Sequence, residues 1–353
     1  MQEKTELIQP TIKGKFIIRP YEPSDEPQII ASWEEAFKQR MDAETWRWKY
    51  HANPAGFRTM LCLSETGDVA VHYAAQVYRI THNGQKKLAL HLTDNFSHPA
   101  YRWALGGKTG LFVKTSWAFL KTYLDEIPID PCFKLYVSHP KAHFHYGFPG
   151  QRHYRLGAKL MYYRLFKPGT LYFTFSDNKC PSKNSWISLQ RCEYQDFPDP
   201  DGINKLWQEV LNFFNPFSVI RDYTFLKWRY FNKPNGNYAF FCLKNRFSKK
   251  MSAWLIAVSH SREVNTLRIV DFLAKDTHSM ESLLKGFINE NKGRHIECWC
   301  SENHPLKKAF LKAGFMPEDE PLGIVPCARC DETGISPDEA DKFIWTMGDA
   351  DLF

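Results

Sequence analysis

The chain has 353 residues, 43% of them hydrophobic, 24% charged and 15% aromatic, and a net charge of +7. That length suits two domains, and large aromatic rings can build sizeable cores. No stretch approaches about 18 consecutive apolar residues, which argues against a membrane-spanning helix. The start, Met1-Gln2-Glu3-Lys4-Thr5-Glu6, lacks the apolar run of a secretory signal, so the cytoplasm is the expected location. Basic runs stop at pairs such as Lys249-Lys250 and Lys307-Lys308. Without a dense basic patch, nucleic acid is not the expected partner.

In chain order, Pro27 precedes an apolar helical face of Ile29, Ile30, Trp33 and Phe37. Trp48-Lys49-Tyr50-His51-Ala52-Asn53-Pro54-Ala55-Gly56 follows, then strand-like runs over 59–63 and 69–80. Leu88 to Asp94 is a further strand that arrives at an aspartate. A helix carrying Phe112, Phe119, Leu120 and Tyr123 comes next. Pro, Asp, Ser and Asn cluster between Pro181 and Gly202, the expected linker.

The pattern then repeats. Ile203, Leu206, Trp207, Val210, Leu211 and Phe214 form a helical stripe. Trp228-Arg229-Tyr230-Phe231-Asn232-Lys233-Pro234-Asn235-Gly236 matches the earlier motif in its Trp, basic residue, Tyr, Pro and Gly at identical spacing. Strands over 238–243 and 253–258 lead to Leu267-Arg268-Ile269-Val270-Asp271, again a strand reaching an aspartate. A helix with Met280, Leu283, Leu284, Phe287 and Ile288 follows. Each half thus reads as an α/β sandwich with a mixed (α+β) sheet. The expected domains are 1–180 and 203–353, joined by 181–202.

Nine cysteines, an odd number, argue against a complete disulfide framework. Cys298, Cys300, Cys327 and Cys330 are candidate zinc ligands. The first pair lacks the usual two-residue spacer and falls in an expected strand, Ile296 to Cys300, where buried thiols are common. No metal is expected. Gly107-Lys108-Thr109 has the end of a Walker motif, but position 102, where that motif needs glycine, is Arg102.

Three local markers carry a family resemblance: Asp94-Asn95-Phe96-Ser97-His98-Pro99-Ala100-Tyr101-Arg102 before a glycine-rich helix start; His145-Tyr146-Gly147-Phe148-Pro149-Gly150 leading to Leu156-Gly157; and Lys307 to Phe315. With the internal repeat, the chain resembles the tandem-domain members of the GNAT N-acetyltransferase superfamily. The resemblance implies two GNAT-like acyl-CoA N-acyltransferase domains, with acetyl-CoA as co-substrate and a small-molecule primary amine as acceptor. The ending Trp345 to Asp351 is similar to tandem members associated with surface-polysaccharide clusters, which points to an amino sugar.

The phosphates of coenzyme A need positive charge and backbone N–H groups at a helix start. Arg102, Gly106, Gly107, Lys108, Thr109 and Gly110 are the expected cofactor-binding residues, although the glycines come later than the family's usual spacing. The resemblance also places the pantetheine and thioester at the backbone of Asn95, Phe96 and Ser97. Asp94, on the alternating strand face of Leu88, Leu90 and Leu92, is either a general base or a structural hydrogen-bonding group. The family's proton donor is a tyrosine four residues before a glycine; here His153 holds that place before Gly157, and Tyr154 is next to it. Tyr154 is the expected donor, with His153 as substitute. The second half has Lys275-Asp276-Thr277-His278 where the first has its glycine loop, and Phe310 four residues before Gly314. It reads as a domain that has lost its cofactor site and supplies a wall for the acceptor. Two other readings stand beside this one: a tRNA-dependent aminoacyl transferase of the tandem GNAT type, and a catalytically inactive binding module.

Overall fold

A computed structural model describes residues 7–11, 14–104, 109–123, 142–167, 169–175, 187–192, 199–259, 265–330 and 335–351. The strands are β1 (Leu7–Thr11), β2 (Gly14–Pro20), β3 (Phe57–Ser64), β4 (Val69–His82), β5 (Gln85–Ser97), β6 (Phe144–Gly147), β7 (Tyr163–Leu165) and β8 (Thr170–Phe175). They continue with β9 (Ile187–Cys192), β10 (Ser218–Val219), β11 (Tyr238–Asn245), β12 (Met251–Ser259), β13 (Thr266–Ala274), β14 (His295–Ser301), β15 (Met316–Glu318) and β16 (Cys327–Arg329). The helices are α1 (Glu26–Phe37), α2 (Ala43–Lys49), α3 (Leu111–Tyr123), α4 (Gln151–Leu160), α5 (Pro200–Phe214), α6 (Tyr223–Leu226), α7 (Thr277–Glu290), α8 (Lys307–Lys312) and α9 (Pro337–Ala340).

The chain divides into two compact units. The first holds Met1–Arg79, Lys87–Phe166 and Val325–Ala340; the second holds Ile80–Lys86, Lys167–Ile324 and Asp341–Phe353. The chain therefore passes between units several times, where the sequence suggested one linker. Within the expected linker, β9 pairs with β11 and α5 begins at Pro200.

In the first unit the sheet runs β1-β2-β3-β4-β5-β6-β16-β7, and β5 and β6 are parallel. Amphipathic helices cover both faces because the strands are apolar on both. Ile29 and Trp33 of α1 and Trp46 of α2 pack with Leu61, Ala74 and Phe96. On the other face, Leu111, Phe112, Phe119 and Leu120 of α3 pack with Met60, Tyr73, Val77 and Leu90. The β4–β5 hairpin turns on Asn83 and Gly84, both at positive φ, as a tight two-residue turn demands.

The second unit repeats the plan. Its sheet runs β15-β8-β14-β13-β12-β11-β9, and β13 and β14 are parallel. Met280, Leu283, Leu284 and Phe287 of α7 pack on Phe241, Leu255, Ile269 and Cys298. Cys298 and Cys300 are buried in this core, where burial pushes the Cys300 thiol up to about 12. Among the described residues no three His, Cys, Asp or Glu side chains gather as metal ligands. No described helix is long and apolar enough to cross a membrane.

Candidate active site

The site in the first unit begins where two parallel strands part. The last β5–β6 pair is His91 with Tyr146; β5 then runs on to Ser97, whereas β6 stops at Gly147. Strands that separate expose backbone N–H and C=O groups that a ligand can use. The chain leaves β5 through a short helical turn, Pro99–Ala104, and enters α3 at Leu111; it leaves β6 through Phe148-Pro149-Gly150 and enters α4. Two helix starts therefore follow the two diverging strands. The helices α3 and α4 carry Lys114, Lys121, Arg152, Arg155 and Lys159 and contain no Asp or Glu. Positive charge beside helix N-termini suits a polyanion.

Of the expected cofactor residues, Arg102 lies exposed in the helical turn, Thr109 is exposed, and Gly110 is buried with its carbonyl accepting from Lys114 N at the head of α3. Gly106, Gly107 and Lys108 lie outside the described residues. Asn95, Phe96 and Ser97 end β5. The Asn95 side-chain oxygen accepts from Ala74 N at 2.7 Å. Phe96 is buried on the α1–α2 face, stacked on His72 with ring centroids 5.2 Å apart. Ser97 is half-buried.

Asp94 departs from simple alternation. Its φ is +52°, a left-handed conformation that costs an ordinary residue about 1–2 kcal/mol. The strand kinks there, and the carboxylate meets α1 and α2 instead of continuing the face of Leu88, Leu90 and Leu92, which pack with the α3 core. Trp33 Nε1 donates to Asp94 Oδ1 at 3.0 Å, and Tyr50 Oη donates to Oδ2 at 2.6 Å. Lys49 Nζ lies 2.6 Å from the same Oδ2, with side-chain exposures of 9% for the lysine and 7% for the aspartate. The Asp94 carbonyl accepts from His72 Nδ1 at 2.8 Å. Burial holds His72 neutral, down to about 4. Trp33, Lys49, Tyr50 and His72 were not singled out in the sequence as site residues. The signal was present: the repeated Tyr and the strand-end Asp recur together in both halves.

Tyr154 is half-buried on α4 and packs against the α3-side core. His153 beside it contacts the rings of Phe112 and Tyr163, at 5.6 Å and 6.2 Å between centroids. Burial lowers His153 to about 4, so the imidazole is neutral at pH 7. Gly157 has a separate cause: a Cβ there would stand 2.1 Å from the Tyr163 ring.

The second unit has the same parting strands with different surroundings. The last β13–β14 pair is Arg268 with Glu297, and both strands run on. The C-terminal segment occupies the divergence: Thr346 pairs with Cys300 on β14, Ser301 N donates to Trp345 O, and Thr346 Oγ1 donates to Asp271 on β13. The helix that follows β13, α7, is capped by Asp276, whose carboxylate accepts from Ser279 N at 2.7 Å. The N-terminus of α7 is thus capped by the chain's own carboxylate.

No protein-family model and no curated protein sequence matches the chain. Solved structures do. A conserved protein of Enterococcus faecalis described as a probable N-acyltransferase superposes with a TM-score of 0.63 at 14% identity, over 89% of this chain and 71% of that one. A GCN5-related N-acetyltransferase of Anabaena variabilis gives 0.63 at 12% identity, over 89% and 72%. A tandem GNAT protein from the clavulanic acid biosynthesis pathway gives 0.52 at 12% identity, over 91% and 99%. This chain has the tandem GNAT fold. A parting of two parallel strands, β5 from β6 and β13 from β14, occurs once in each unit.

Proposed function

We propose that the chain transfers an acyl group, acetyl in the simplest case, from acyl-coenzyme A to a primary amine of a small molecule, and that the first unit holds the cofactor. The observation that carries this reading is the contrast between the two splays. The first opens beside two basic helices free of carboxylates; the second contains the chain's own C-terminal segment and a helix capped by Asp276. Arg102, Thr109, Gly110 and the first N–H groups of α3 would take the pyrophosphate, joined by Gly106, Gly107 and Lys108 on the sequence pattern. The backbone of Asn95, Phe96 and Ser97 would receive the thioester, where a hydrogen bond to the developing oxyanion lowers the barrier. Tyr154 would protonate the leaving thiolate.

Basic helices would suit tRNA as well as coenzyme A, since both are polyanions; the glycine-rich sequence before α3 favours coenzyme A, which a tRNA-dependent transferase does not need. The amino-sugar acceptor rests on the likeness of the C-terminal sequence. The test is thiol release from acetyl-CoA by the full chain, with glucosamine as the first acceptor and a panel of primary amines behind it. Amine-dependent thiol release supports the reading. Binding of charged tRNA without binding of acetyl-CoA would replace it.

A further inference from the structure

The two strand-end aspartates offer an internal comparison. In the first unit Tyr50 donates to Asp94 at 2.6 Å; in the second, Tyr230 donates to Asp271 at 2.8 Å. Both tyrosines are the third residue of the repeated Trp-basic-Tyr motif. The motif and the aspartate are therefore the two ends of one contact, made twice. Asp271 is 0% exposed and also binds Arg221 and Thr346, so no substrate proton can reach it. A strand irregularity accompanies each aspartate. Asp94 stands at positive φ with Ala74 N turned to the Asn95 side chain, and the β12–β13 register shifts between Ile256 and Ala257, opposite Asp271. The contact persists in a unit that lacks the marks of a cofactor site, so its common duty is to fix the bend of the strand.

We infer that Asp94 is a positioning residue: held by Tyr50, Trp33 and Lys49, it fixes the β5 bend that aims the backbone of 95–97, and it does not take the acceptor's proton. This rests on the functional reading above. Three donors converge on two carboxylate oxygens, which is the arrangement of a clamp. His72 adds a fourth tie, through the Asp94 carbonyl. A shift of the order of 1 Å at a reacting centre can cost about 100-fold in rate, so a clamp acting through its neighbours can still control turnover.

The test uses the full chain with Asp94→Asn and the conservative Tyr50→Phe, whose ring keeps its packing against Trp46 at 4.0 Å. Hydrogen exchange of the 93–98 backbone is expected to accelerate roughly tenfold or more in both, the scale of losing a hydrogen bond to a charged group. Turnover of acetyl-CoA with glucosamine, or with whichever panel amine is active, is expected to drop roughly 10–100-fold. Affinity for coenzyme A should change far less than turnover, and the acidic limb of the pH–rate profile should survive in both variants. Loss of that limb in Asp94→Asn with unaltered exchange in Tyr50→Phe would make Asp94 the base and overturn the inference. Faster exchange with unchanged turnover would also overturn it, leaving only a structural tie. A wild-type chain that neither binds acetyl-CoA nor releases thiol would defeat the functional reading instead, and the exchange measurement would still decide whether the clamp exists.

Discussion

Gly157 shows how one residue can be noticed for one reason and needed for another. In the sequence it marks the four-residue spacing that His153 holds, with Tyr154 next to it; in the fold it makes room for the Tyr163 ring. Gly157→Ala is expected to destabilise the first unit by about 1–3 kcal/mol, the usual cost of overpacking, read as a lower midpoint in urea. His72 sets a pH dependence. Its folded value is about 4 against an ordinary 6.5. Between those values the unfolded chain binds a proton that the folded chain refuses. Stability must then fall as pH drops from 6.5 towards 4, by up to about 1.4 kcal/mol per pH unit from this group. Buried His304, lowered to about 3, acts in the same direction. His72→Asn keeps an N–H near the Asp94 carbonyl and does not titrate. Unfolding free energies between pH 4.5 and 7 should show a slope shallower by about one proton, and an unchanged slope would refute the assignment.

Among the elements, the long strands and amphipathic helices were legible because alternation and 3.6-residue periodicity need length to show. The three-residue strands β7, β15 and β16 offer too few residues for any period. Their placement is what complicates the boundary. β16, late in the chain, lies between β6 and β7 of the first sheet; β8, early in the chain, lies between β14 and β15 of the second. A cut into 1–180 and 195–353 takes β16 from one sheet and β8 from the other. Neither fragment is expected to unfold cooperatively alone in circular-dichroism melts; cooperative melting of both would contradict the strand exchange. At α7 the sequence showed Asp276 in the segment that replaces the glycine loop, and the fold adds that it caps the helix. Asp276→Ala should cost about 1 kcal/mol in chemical denaturation.

At the scale of the whole molecule, the internal repeat makes the two-unit plan readable in the sequence alone. The Tyr–Asp contact that ties each copy together was not, because its partners are 44 and 41 residues apart in sequence and only the strand bend brings them together. Nor did the sequence indicate that the C-terminal segment would enter the second splay, since nothing local in Trp345-Thr346-Met347 signals a distant partner. The two units thus present similar frames, and the proposed function assigns the first to the cofactor. Calorimetric titration of the full chain with acetyl-CoA tests that assignment most directly. One equivalent bound per chain is expected, with affinity reduced by about 1–3 kcal/mol in Lys108→Ala and in Arg102→Ala, the scale of a charge-assisted hydrogen bond. Two equivalents, or none, or one equivalent indifferent to both substitutions, would contradict it.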